Sequence, residues 1–139
     1  MPAGIGRSRK PPITEPMGFA PDALGRLRTT GEVRIETRAA PSAPAHRTTI
    51  WVVVDEHDRV LIRTYRGATS RWYREARANA QCVLWLSGES VPVRAEAADD
   101  PDRIAAASRG YKAKYAGDPA VRGMVAPAQL PTTLELRPR

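Results

Sequence analysis

The residues with most chemistry to offer stand between Val60 and Gln81. A short apolar run there ends in Arg63-Thr64-Tyr65, breaks at Gly67, and restarts as a helix opened by Ser70, Arg71, Trp72 and Tyr73. Between Arg59 and Arg77 lie six arginines (59, 63, 66, 71, 74 and 77) and one acid, Glu75, so this segment supplies five of the seven net positive charges. Backbone N–H groups at a helix N-terminus, with guanidinium forks beside them, form a cradle for phosphate.

Other chemistries lack their parts. His46 sits in a proline-rich loop and His57 in a polar turn, neither at metal-ligand spacing with the lone cysteine or the acids, so no metal site is expected. No local pattern suggests a Ser-His-Asp or Cys-His nucleophile, and the pairs Asp55-Glu56 and Asp99-Asp100 read as turn and cap residues. Cys82 falls in the apolar run Cys82-Val83-Leu84-Trp85-Leu86 and reads as a small buried hydrophobe in a reducing compartment. An enzyme built from these residues needs a bound cofactor for the hard chemistry.

The elements that must carry the cradle follow from pattern. At 139 residues the chain is one domain by size, short for a deep pocket unless a dimer shares it. Residues 1–20, rich in proline and basic side chains, read as a tail that is disordered or covers a partner subunit, and 21–139 as the folded domain. Pro21 starts a short helix to Leu27 and Arg28, which Gly31 stops. Val33 to Thr37 alternates as a strand. Thr48 to Val54 is the clearest strand, with Ile50, Val52 and Val54 on one face. Val60 to Tyr65 returns from it as a hairpin, the helix Arg71 to Ala78 follows with Ser70 as N-cap, and Gln81 to Ser87 is the next strand. Val91 to Ala97 alternates too, and Pro92 within it argues for an edge or a bulge. Asp99-Asp100-Pro101 opens a helix ending near Gly117, a further turn carries Val121 and Met124, and Thr132 to Arg137 is the last strand. Five or six antiparallel strands interrupted by short helices predict a mainly β, α+β fold, a small barrel flanked or plugged by its helices.

The segment from Tyr65 to Ala80 resembles the strand-loop-helix of deazaflavin-dependent nitroreductases. The wider relatives are the split β-barrel flavoproteins typified by pyridoxamine 5'-phosphate oxidase. Tyr111 to Tyr115 and the closing Thr132 to Arg139 are similar to a small subfamily of that clan. The resemblance implies a six-stranded antiparallel split β-barrel of the FMN-binding type, a homodimer, and the phosphate of FMN or a deazaflavin coenzyme lying against Arg63, Thr64, Arg66, Gly67, Ser70 and Arg71, with Trp72 and Tyr73 beside it. It also implies Lys114 and Tyr115 as groups reaching a substrate or the partner's cofactor, and Tyr65 or Tyr115 as a proton donor. The sequence departs from the nitroreductase pattern at Arg66 (often glycine), Arg71 (often proline), Glu75 (often asparagine) and Ala80 (often proline).

Plainer roles stand beside these. Arg71 and Glu75, four apart, can pair with each other, and Arg74 and Arg77 read as a solvated face. Arg63 suits an ion pair between strands as well as a ligand, Trp72 and Tyr73 suit packing as well as stacking, and Trp51 and Trp85 read as core. Lys114 and Tyr115 suit a helix C-terminus. Three function classes result: a cytoplasmic oxidoreductase using FMN or a deazaflavin on a conjugated or carbonyl substrate; a cofactor-free barrel that binds a small molecule or catalyses a rearrangement; and a nucleic-acid binder, against which no RNA or DNA motif accompanies the charge. The longest apolar run, Ile50 to Val54, is far below the roughly 20 residues of a membrane span.

Overall fold

The computed structural model describes residues 18–139; of the expected tail 1–20, residues 1–17 lie outside the described residues. Seven strands form one antiparallel sheet: β1 (Val33–Thr37), β2 (His46–Ile50), β3 (Val53–Val54), β4 (Val60–Ile62), β5 (Gln81–Leu86), β6 (Glu89–Ala97) and β7 (Leu134–Pro138). The helices are α1 (Pro21–Thr29), α2 (Arg71–Ala78), α3 (Pro101–Lys114) and the short α4 (Val121–Met124), with a 3₁₀ turn at Pro127–Thr132.

The strand order is β2-β1-β5-β6-β7-β4-β3. Its two outer members are consecutive in the chain, separated only by Trp51 and Val52. The strand expected over Thr48 to Val54 is therefore two strands: its first part pairs with β1 (Val33 opposite Ile50) and its last part with β4 (Val53 opposite Leu61). Bending at Trp51-Val52 carries one segment from one edge of the sheet to the other and curls the sheet into a split barrel. That bend adds the seventh strand to the expected six.

Alternation along β4 explains why all three of its residues are buried. Val60 and Ile62 point into the main core with Ile35, Leu84, Val93, Leu134 and Leu136, while Leu61 points outward to Ala106, Ala107, Tyr111 and Met124 of α3 and α4. No face of β4 is left for water. α3 begins as expected: Pro101 fills the first turn and the Asp100 carboxylate accepts from Arg103 N–H at 3.0 Å. Arg103 then pairs with Asp100, Glu96 and Glu135, fixing the helix start against β6 and β7.

Pro92 departs from its expected edge position, since β6 lies between β5 and β7. Its carbonyl accepts from Arg139 N–H, so its nitrogen faces the point where β7 ends, and the missing donor costs at most one terminal ladder bond.

Candidate functional site

The bend at Trp51-Val52 creates a demand for hydrogen bonds. Val52 is fully buried and outside the ladder, so its N–H and C=O need partners. Both come from the end of α3. The Tyr115 hydroxyl accepts from Val52 N–H at 3.2 Å and donates to Gly31 O at 2.7 Å. Lys114 Nζ donates to Val52 O at 2.6 Å and to Leu27 O at 2.8 Å. The Tyr115 ring lies flat on Trp51, centroids 4.0 Å apart and planes 1° from parallel. Lys114 and Tyr115, singled out above as catalytic, are thus committed to backbone, and neither borders the cleft described below. Burial without an acid partner pushes Lys114 down to about 8.

The loop after β4 is held from within. Thr64 is fully buried; its hydroxyl accepts from Gly67 N–H at 2.8 Å and its N–H donates to Thr132 Oγ1 at 3.2 Å. Gly67 turns the chain at φ 92°, a conformation only glycine adopts cheaply. Arg63 makes no ion pair with a neighbouring strand. Its guanidinium, 1 % exposed, donates to Thr133 Oγ1 (2.8 Å), Ser108 Oγ (2.9 Å), Met124 O (3.1 Å) and Ile104 O (2.8 Å). Every one of these acceptors is neutral. Desolvation lowers its pKa, yet a guanidinium stays charged, so Arg63 sets beneath the loop a positive charge that has no counterion among the described residues.

These elements enclose a cleft of about 480 Å³. Arg63, Tyr65, Arg66, Ser70, Arg71 and Trp72 of the expected set border it; Thr64, Gly67 and Tyr73 do not. Trp72 is 6 % exposed and meets Tyr73 edge-on at 6.2 Å, so both aromatics pack against the core as well. The far wall lies outside the expected set: Thr48, Thr49 and Ile50 of β2, Trp51 at the bend, and Glu32 just before β1. Trp51 is half-buried cleft wall rather than core. Ala120 and Met124 complete the lining.

Polar groups at the cleft are unspent. Arg66 and Arg71 are exposed, with no ion-pair partner among the described residues. Ser70 occupies the N-cap position with extended backbone but caps nothing, and its Oγ is buried without a hydrogen-bond partner among the described residues. The expected Arg71–Glu75 pair does not form. Glu75 instead accepts from Thr37 Oγ1 at 2.8 Å and meets His46 Nδ1 at 3.0 Å. Cys82 is buried as expected, and burial pushes its thiol up to about 11.

The split antiparallel barrel is the fold of pyridoxamine 5'-phosphate oxidase-like proteins, and solved structures share it. Residues 23–136 match DUF2255, described as an uncharacterized protein conserved in bacteria, and the chain belongs to that family. The Agrobacterium tumefaciens protein Atu2129, of unknown function, is 19% identical with TM-score 0.59 over 94% of this chain; this chain spans only 58% of its length. HutZ, the heme storage protein of Vibrio cholerae, is 10% identical with TM-score 0.64, over 88% of this chain and 92% of its own. An F420-H2 dependent reductase is 15% identical with TM-score 0.58, over 77% of this chain and 93% of its own. At such identities the likeness speaks for the fold alone. No curated protein matches the chain. Among the described residues no helix is long and apolar enough to cross a membrane, and no group of His, Cys, Asp and Glu could hold a metal ion.

Proposed function

We propose that the cleft binds the anionic tail and flat ring of FMN or a deazaflavin coenzyme, and that the protein is an oxidoreductase acting on a small conjugated or carbonyl compound. One observation carries this reading: apolar walls from Trp51, Ile50, Trp72 and Met124 stand beside two arginines and a buried serine hydroxyl that have no partners among the described residues. Such a volume with a few convergent polar groups suits an organic ligand.

The residues present fit the coenzyme. Arg66 and Arg71 would hold the phosphate by forked, charge-assisted hydrogen bonds, and Ser70 Oγ would donate one more at the start of α2. Arg63 holds the loop and adds positive charge without spending a donor on the ligand. The two tryptophans keep water from the ring. When bound, the ring would supply hydride transfer. Tyr65, 56% exposed at the cleft, would hold a proton at Oη for the substrate. Among the described residues the cleft is bordered by neither histidine nor cysteine, so an imidazole or thiolate ligand for a haem iron is not among them. A homodimer in the reducing cytoplasm fits the short chain and its single buried thiol.

Binding of FMN and of riboflavin, followed by flavin fluorescence, tests the reading. The wild type should bind FMN at least ten times more tightly than riboflavin, and Arg66→Gln/Arg71→Gln should erase that difference. Failure to bind both FMN and a deazaflavin coenzyme overturns it.

A further inference from the structure

The cleft carries charge of both signs. Glu32 borders it together with Arg66 and Arg71, and among the described residues its carboxylate forms no ion pair with them or with any other group. Elsewhere on this surface exposed arginines do close onto acids: Arg26 onto Glu89, Arg28 onto Asp58, Arg109 onto Glu56. At the cleft the opposite charges close no such pair among the described residues. The arginines belong to the β4–α2 loop and the start of α2, while Glu32 stands at the head of β1, next to Val33, which pairs with Ile50 beside the Trp51 bend.

The surroundings of Glu32 locate its part of the cleft. The preceding residue, Gly31, receives the Tyr115 hydroxyl at 2.7 Å, and Tyr115 stacks on Trp51. Burial first, and the Glu32 carboxylate after it, hold the Tyr115 phenol above its ordinary range, which places Glu32 within electrostatic reach of that ring. Thr48 and Thr49 also border the cleft, and their hydroxyls have no hydrogen-bond partner among the described residues. The cleft lining therefore combines two arginines and a serine, aromatic walls, and a carboxylate with two threonine hydroxyls.

We infer that the cleft selects a bipolar ligand, with an anionic group at Arg66 and Arg71, a flat ring against the aromatic walls, and an ammonium at Glu32, which acts as the specificity-determining residue. A carboxylate prefers an ammonium to a neutral hydroxyl because both partners of that hydrogen bond are then charged. The inference deepens the proposed site without depending on which coenzyme fills it.

Phosphotyramine and its neutral-ended counterpart phosphotyrosol share the phosphate and the ring and differ only in the terminal ammonium or hydroxyl. Titration calorimetry on the full chain should show phosphotyramine binding about tenfold more tightly. Glu32→Gln should abolish that preference while leaving phosphotyrosol affinity unchanged, and Arg71→Gln should weaken both probes alike. Glu32 is exposed and makes no side-chain bond among the described residues, so the variant should melt with the wild type. No preference in the wild type, a preference that survives Glu32→Gln, or no binding of either probe overturns the inference. FMN binding is measured on the same samples. FMN held without an amine preference removes this inference alone, and an amine preference in a protein that binds neither FMN nor a deazaflavin coenzyme removes the coenzyme reading alone.

Discussion

Tyr115→Phe removes one oxygen and keeps the ring on Trp51, so it separates the two roles open to this residue. In the structure the hydroxyl satisfies Val52 N–H and Gly31 O. Gly31 is exposed, and its carbonyl regains water when the hydroxyl leaves. Val52 is 0% exposed; its carbonyl keeps Lys114, but its N–H is orphaned. An orphaned buried donor costs about 1–3 kcal/mol, so the variant should lose about 1–2 kcal/mol and melt about 4–8 °C lower. Urea unfolding at 25 °C followed by tryptophan fluorescence measures this, with the m-value expected to stay constant. Binding of FMN should be unchanged, because Tyr115 does not border the cleft. Stability within about 0.3 kcal/mol of wild type would refute the stapling argument. Lost binding at unchanged stability would return Tyr115 to the catalytic role its resemblance implied.

Lys114 has a folded pKa of about 8 against an ordinary 10.5, so between those values the unfolded chain holds more protons and stability rises with pH. Half-burial limits the rise to about 1 kcal/mol, and Lys114→Met should flatten it in urea melts between pH 7.5 and 9; equal slopes would dismiss the effect. Above pH 9 the raised Cys82 thiol acts oppositely, because the folded state then keeps a proton that the unfolded chain loses. Gly123→Ala would place a Cβ 2.5 Å from Tyr65 Cε1 and push that ring from its seat; Tyr65→Ala should make the second change silent for ligand affinity, and additive losses would show the two residues to be uncoupled. Glu75→Ala strands the buried Thr37 hydroxyl and should cost about 1–3 kcal/mol in thermal melts, Glu75→Gln less because an acceptor remains; equal losses would show that packing, not the hydrogen bond, matters there.

Local signals in the sequence located most elements. The apolar–polar alternation of Val33 to Thr37, the polar turn at Asp55 and the Asp100-Pro101 cap each need only neighbours a few residues away, and the structure has all three. The helix expected from Arg71 to Ala78 has those bounds. The bend at Trp51-Val52 left no such trace. Nothing in Ile50-Trp51-Val52-Val53 breaks a strand; the break is tolerated because Lys114 and Tyr115, more than sixty residues on, supply the missing hydrogen bonds. The far wall of the cleft depends on the same bend, and Glu32 and Thr49 enter the lining only through the β1–β2 register.

The fate of Glu75 shows why the cleft keeps its positive charge. Sequence spacing offers Glu75 to Arg71 one helical turn away, a surface pair worth about 0.3–0.5 kcal/mol. Facing the sheet, the same carboxylate accepts a hydrogen bond from Thr37 and meets His46 Nδ1, and bonds to a charged acceptor there are worth about 1.5–3 kcal/mol each. The second arrangement wins and draws the acid into the junction of α2 with β1 and β2, at 8% exposure. Arg71 is left without a partner among the described residues at the rim. One side-chain choice thus anchors the helix and leaves its first arginine available to an anion, so Glu75→Ala should loosen α2 and weaken FMN binding together, whereas Arg71→Gln should weaken binding at unchanged stability.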